Sequence, residues 1–232
     1  MTSSEILQQA MDAETSPFDK REPRVSKIGL CARRQVLEAL GVIDNDIPWE
    51  FCEAGHILQY AAFQRVRSIF PFAEEEVAVE TPIKGVYCHP DIVVLEENLC
   101  IQVKSSMAAR DSFETVASYQ RDQVLMEWVS WRHSRKYVHY NREDDCYNFN
   151  WPHKKFVPSR YEILFLDRET YGKIHTSVNI PWDGVRAREL QAKFEMIADC
   201  IAEWMVPPIP KTKQADCWLG QPCQIYNQCW KE

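Results

Sequence analysis

The sequence predicts an α/β fold with a mixed central sheet flanked by helices. Three observations lead there. The periodicity of apolar residues changes along the chain in the order helix, three strands, helix, strand, with helical additions at both ends. Between residues 77 and 104 the pattern is period two and rich in β-branched residues, punctuated by turn signals. The chain's 232 residues suffice for one domain with a real apolar core.

Each element has its own signal. Ser26 precedes a helical pattern over 28–40, which carries Cys31, Arg33 and Arg34 and stops at Gly41. A longer helix is expected over 47–70, where Phe51, Leu58, Ala62, Val66 and Ile69 recur at helical spacing and Pro71 ends the run. Strands follow at 77–81, 86–95 and 98–104, with turns near Lys84-Gly85 and at 96–98. Residues 112–133 return to helical spacing through Val116, Tyr119, Gln123, Met126 and Val129. Residues 136–140 read as a strand, 141–159 as a polar, aromatic and basic loop, and 161–167 and 173–180 as two more strands. A helix over 185–205 is broken by Pro207, Pro208 and Pro210 and leads into a tail with Cys217, Cys223 and Cys229. The expected organisation is a flexible segment 1–24 and a single domain 25–232, whose tail is 207–232.

Composition narrows the function classes. No run approaches the ~20 apolar residues that span a bilayer, and the polar first residues lack the order of a signal peptide. The reading is a soluble, cytoplasmic protein. The formal net charge of −7 does not advertise a nucleic-acid binder, but a local basic groove can coexist with an acidic whole. Nine cysteines are many for such a chain; in a reducing compartment they bind metal or are buried.

The most informative segment is 85–106. Asp91 lies on one strand, and Gln102 and Lys104 lie two apart on the next, so both point to one face. A short turn sets that face beside Asp91. A hard divalent cation takes oxygen ligands, here the Asp91 carboxylate, the Gln102 amide carbonyl and the Val103 backbone carbonyl. Lys104 then orients a water or stabilises developing charge on a phosphate. Two basic clusters accompany aromatic residues. One holds Arg132, Arg135 and Lys136; the other holds Lys154 and Lys155 near Trp151 and Phe156. Phosphate pairing combined with base stacking suits single-stranded DNA.

These residues, in this order, resemble the PD-(D/E)XK signature, including a literal Pro90-Asp91; Gln102 stands where the usual residue is acidic. The chain is similar to RecB-like nucleases of that superfamily. They carry a Gln on the helix after the strand pair, which Gln123 matches best and Gln120 second. A Tyr usually follows four residues later, where this chain has Glu127. A motif on the helix before the sheet, Gly then His or Glu about one turn on, corresponds to Gly55-His-Ile-Leu-Gln59, with Gln59 in register or His56 if the register shifts. The cysteines extend the resemblance. Ser26, Cys31 and Arg34 look like the Ser-x-x-x-x-Cys-x-x-Arg entry of AddB-type nuclease domains and of the fourth CRISPR-associated (Cas) protein family, and three cysteines follow the core as in those families. Here both tail spacings are Cys-x5-Cys, where the first is usually Cys-x2-Cys.

The resemblance implies a restriction-endonuclease-like core and a Mg2+- or Mn2+-dependent DNA nuclease, in particular an exonuclease acting on ends or single strands. Asp91, Gln102, Lys104, Gln123 and Gln59 or His56 would form the site. Cys31, Cys217, Cys223 and Cys229 would hold a [4Fe–4S] cluster joining the chain ends, or alternatively zinc. The implied settings are phage recombination, DNA repair or CRISPR adaptation, with possible protein partners in such a complex. The amides at 59 and 102 motivate an alternative: a weakened nuclease fold acting as a DNA-binding or interaction module.

Overall fold

A long β-hairpin, bent in the middle and shared between two sheets, organises the molecule. The computed structural model describes residues 22–43, 49–106, 112–134, 137–141, 146–148, 156–167, 170, 173–209 and 229. Most of the segment 1–24 and of the tail 207–232 therefore lies outside the described residues.

The first helix, α1 (Ala32–Ala39), starts after Cys31 and closes ahead of Gly41. Gly41 has φ +70, a conformation glycine adopts without a Cβ clash. The expected start at residue 28 is too early: Val25–Lys27 forms a separate 3-10 turn. The second helix, α2 (Trp49–Ile69), ends just before Pro71, as expected.

The hairpin follows. Its ascending arm is β1 (Glu74–Glu75) and β2 (Ala78–Glu80); its descending arm is β3 (Tyr87–Cys88) and β4 (Ile92–Val94). The expected single strand over 86–95 is thus two strands, interrupted at His89-Pro90-Asp91. Proline cannot donate to a ladder, and it restricts the residue before it. Glu76 marks the matching break on the other arm, with a left-handed φ of 48. Below the breaks β1 pairs with β4; above them β2 pairs with β3.

The lower half joins a five-stranded sheet in the order β1-β4-β5-β8-β9, where β5 is Leu99–Ser106, β8 is Arg160–Asp167 and β9 is Ile174–Asn179. Only the β5–β8 pair is parallel, so the sheet is mixed, as predicted. The upper half joins a second, antiparallel sheet in the order β3-β2-β6-β7, with β6 Tyr137–Asn141 and β7 Cys146–Asn148. The expectation of a polar, aromatic and basic loop over 141–159 is corrected at Cys146–Asn148, which forms β7 paired with β6.

Residues 112–133 divide into a 3-10 turn (Phe113–Thr115), closed by a capping box on Ser112, and helix α3 (Ser118–His133). The last helix, α4 (Gly184–Ala202), is capped by Asp183, whose carboxylate accepts from Val185 N at 2.9 Å and Arg186 N at 3.0 Å. Such a cap stabilises a helix by about 1 kcal/mol.

The five-stranded sheet is covered on both faces. Leu58, Ala62 and Phe63 of α2 bury against Ile92, Val94, Leu99, Ile101 and Val103. On the other face Trp128 and Trp131 of α3 and Phe194 and Ile197 of α4 pack over Cys100, Tyr161, Ile163 and Phe165. Burying one such large side chain stabilises the fold by roughly 1.5–3 kcal/mol. Arg186 ties α3 to α4 through a bidentate pair with Asp122, at 2.9 and 2.6 Å. Among the described residues, no helix is long and apolar enough to cross a membrane.

Candidate active site

The bend of the hairpin is where the chemistry collects. In the β4–β5 ladder Ile92 faces Ile101, so one rung further Asp91 faces Gln102. Opposed residues share a face of the sheet, and the Lys104 side chain, two residues on, projects from that same face. On the outer side Glu76 N–H donates to the Asp91 carbonyl at 3.2 Å. Glu76, Asp91, Gln102 and Lys104 therefore come together across three neighbouring strands.

The local backbone opens the site. Asp91 Oδ2 accepts from Val103 N–H at 2.6 Å. The β4–β5 ladder ends at Ile92–Ile101; were its register continued, Val103 would meet Pro90, whose nitrogen has no hydrogen to give the Val103 carbonyl. Gln102 is 3% exposed, and its Oε1 has no hydrogen-bond donor among the described residues. Leaving a buried acceptor unsatisfied costs about 1–3 kcal/mol.

Electrostatics agree with the crowding. Burial pushes the Asp91 carboxyl up to about 6; Lys104 and the Val103 N–H oppose that rise, Glu76 adds to it, and a hydrogen bond from Gln102 opposes it. Two carboxylates this close repel unless a cation lies between them. Gln59 on α2 reaches the group from the sheet edge, with Nε2 donating to Glu76 Oε1 at 3.2 Å. His56, its rival, is exposed on α2, and no hydrogen bond among the described residues brings it into this group.

Helix α3 closes the site from above. Gln123 Nε2 donates to Glu127 Oε1 at 2.8 Å, and the Tyr161 hydroxyl from β8 donates to Glu127 Oε2 at 2.5 Å. Glu127 is 1% exposed. Burial pushes its carboxyl up to about 7; the Tyr161 hydrogen bond lowers it, the Asp91 charge raises it, and Gln123 and Lys104 lower it. Gln120 is buried on the same helix, and its Oε1 meets no donor among the described residues. A cavity of about 200 Å³ is lined by Arg24, Ser26, Tyr87, His89, Gln123 and Glu127 among others, and His89 stands two residues from Asp91. Burial pushes the His89 imidazole pKa down, against the opposing influence of Glu76.

Four participants escaped the sequence reading: Glu76, His89, Glu127 and Tyr161. Glu76 ends an acidic run, Glu74-Glu75-Glu76, just ahead of the expected strand, and Glu127 follows Gln123 by one helical turn. Those were the available signals. Tyr161 had none, because it is brought in by the parallel β5–β8 pairing, in which it lies beside Cys100.

The oxygens gathered here are of the kind that a hard divalent cation takes. Among the described residues no three His, Cys, Asp or Glu side chains are placed to hold a metal together. A cation here would rely on the Asp91 and Glu76 carboxylates supplemented by neutral oxygens, and the unpartnered Gln102 carbonyl is one.

Other predicted residues lie apart. Arg132, at the end of α3, is exposed, and its guanidinium sits over the Trp182 ring at 4.0 Å. Arg135, Lys136, Lys154 and Lys155 lie outside the described residues, as do Cys217 and Cys223. Cys31 is buried at the start of α1, and Cys229 is half-buried. Arg33 Nη1 donates to the Pro207 carbonyl at 2.6 Å, so the segment beside Cys31 touches the start of the tail.

No family model matches the chain, and no curated protein does. Among solved structures, an alkaline exonuclease from Laribacter hongkongensis is similar, with a TM-score of 0.49 and 10% identity, over 80% of this chain and 90% of that one. That likeness assigns no residue a role.

Proposed function

We propose that this protein is a divalent-metal-dependent DNA nuclease, an exonuclease acting on ends or single strands. The observation that carries the reading is the meeting of Asp91, Glu76, an unsatisfied Gln102 carbonyl and Lys104 at the bend between two sheets. Asp91, Gln102 and the Val103 carbonyl would hold Mg2+ or Mn2+, with Glu76 as a further carboxylate. The cation supplies Lewis-acid activation of water and neutralises phosphate charge. The Lys104 ammonium stabilises the charge that develops on the phosphate oxygens as water attacks phosphorus and the bond to the leaving sugar oxygen breaks. Gln59 holds Glu76, and Gln123 lines the cavity that also takes in His89. Arg132, Arg135, Lys136, Lys154 and Lys155 would carry the DNA backbone. The setting would be the cytoplasm, in recombination, repair or CRISPR adaptation.

The four cysteines, Cys31, Cys217, Cys223 and Cys229, would hold a [4Fe–4S] cluster stapling the chain ends. The Arg33–Pro207 contact supports the required approach. Zinc without iron in anaerobically purified protein would replace the cluster by a zinc staple.

End-labelled single- and double-stranded DNA, incubated with Mg2+ or Mn2+, tests the activity. Cleavage by the wild type and its loss in Lys104→Ala, with the visible absorption of the cluster intact, is the expected result. Undiminished cleavage by that variant overturns the assignment. One observation favours a second reading, a non-catalytic DNA-binding module: the two family positions at 59 and 102 carry amides. DNA binding without cleavage, even after Gln102→Glu, would select it.

A further inference from the structure

Gln123 and Glu127 stand one turn apart on α3 and both line a cavity that also takes in His89, two residues from Asp91, whose charge and that of Lys104 act on Glu127. A primary amide has a donor end and an acceptor end, exchanged by a half-turn about its last bond. An ionised carboxylate offers acceptors alone. Glu127 Oε1 therefore selects the Gln123 –NH2, at 2.8 Å. Its other oxygen is taken by the Tyr161 hydroxyl at 2.5 Å, which keeps the carboxylate from turning. At 1% exposure Glu127 is almost wholly buried, and both of its oxygens already have partners.

We propose that Glu127 is a positioning residue that fixes the polarity of Gln123, so that Gln123 meets the cavity with its carbonyl oxygen while its –NH2 stays bound to Glu127. The proposal rests on the nuclease reading of the neighbouring group and deepens it. A carbonyl oxygen accepts a hydrogen bond from a water molecule and repels the anionic oxygens of a phosphate. Gln123 thus orients the attacking water, and Lys104 is left to face the phosphate. Tyr161 acts one step further back, by holding Glu127.

The test compares, at pH 8 or above, full-length, metal-loaded wild type with E127Q, Q123A and the double variant. Glutamine at 127 puts an –NH2 in place of one of the two carboxylate oxygens, so it no longer accepts at both the Oε1 position that Gln123 uses and the Oε2 position that Tyr161 uses. E127Q is expected to lower kcat by roughly tenfold, the scale of losing a partner that orients a site ligand. KM, and DNA affinity measured with Ca2+ as the ion, should stay within about twofold, since ground-state contacts are untouched. The double variant should be no slower than Q123A, because both changes remove the same oriented oxygen. Wild-type kcat in E127Q, or losses that multiply in the double variant, would overturn the proposal. A readout independent of cleavage separates it from the nuclease reading: the side-chain amide protons of Gln123 in 15N–1H NMR. They should exchange slowly in the wild type and rapidly in Glu127→Ala. If the wild type cuts no DNA, the nuclease reading fails while this measurement still decides the orientation. Rapid exchange already in the wild type refutes it.

Discussion

Asp91 and Val103 share one hydrogen bond that a regular ladder would not contain: the side-chain Oδ2 accepts from the backbone N–H at 2.6 Å. The paired ladder ends at Ile92–Ile101, and past it the Val103 N–H goes to the carboxylate instead of to a backbone carbonyl. Asp91 thus maintains the strand end, and in the proposed site its carboxylate would also serve as a cation ligand.

Substitutions at 91 separate those two tasks. Asp91→Asn keeps an acceptor for Val103 and should leave stability within about 1 kcal/mol, yet weaken Mn2+ binding on the order of tenfold or more, because an anionic ligand is lost. Asp91→Ala should cost about 1–3 kcal/mol of stability as well, by orphaning a buried N–H. Urea denaturation and calorimetric Mn2+ titration measure both. Mn2+ affinity unchanged in Asp91→Asn would remove Asp91 from the ligand set.

Gln102→Glu restores an anionic oxygen at the unpartnered position. Mn2+ should bind on the order of tenfold more tightly, while the metal-free protein should lose stability above pH 6, where Asp91, Glu76 and the new carboxylate repel. The same two methods apply. Unchanged affinity with unchanged metal-free stability would mean that position 102 does not face the cation.

Glu127 predicts a pH dependence. Its folded-state carboxyl is raised from 4.5 to about 7, first by burial. A raised pKa means that the folded state binds the proton more tightly than the unfolded state. Its contribution is therefore complete below about pH 4.5 and is lost as pH rises through 7. The change corresponds to roughly 3 kcal/mol, at about 1.4 kcal/mol per pKa unit. Metal-free wild type should lose that much more stability than E127Q between pH 4.5 and pH 8. Parallel urea-midpoint curves for the two proteins would contradict the assignment.

Gly29 tests how the N-terminal segment is seated on α3. A Cβ built there would lie 2.3 Å from Tyr119 Cα, against backbone that cannot step aside. Gly29→Ala should cost roughly 1–3 kcal/mol or more, as overpacking does, and lower the melting temperature. A wild-type melting curve would mean that the segment can shift without penalty.

Much of the site was legible locally. Gln102 and Lys104 share a face because a strand alternates, and Asp91 stands beside them because the connection between β4 and β5 is short. The choice between Gln59 and His56 was not legible. Both lie on one exposed-to-buried helix, and only the Glu76 hydrogen bond brings Gln59 into the group. The fold class followed from the order of periodicities. The division of the 86–95 run between two sheets did not, because an apolar run reads the same whichever partner strand accepts it. Pro90, which cannot donate to a ladder, is the local mark of that division.

Sequence alone determined the alternation of helices and strands, the pairing of Asp91 with Gln102 and Lys104, and the presence of Gln123 on the following helix. Those follow from repeats of two and 3.6 residues and from short connections. Tertiary structure decided that Glu76 and Glu127 join them, and that Tyr161 takes the place beside Glu127. Burial and carboxylate proximity depend on which distant strands and helices stack. No local periodicity encodes that.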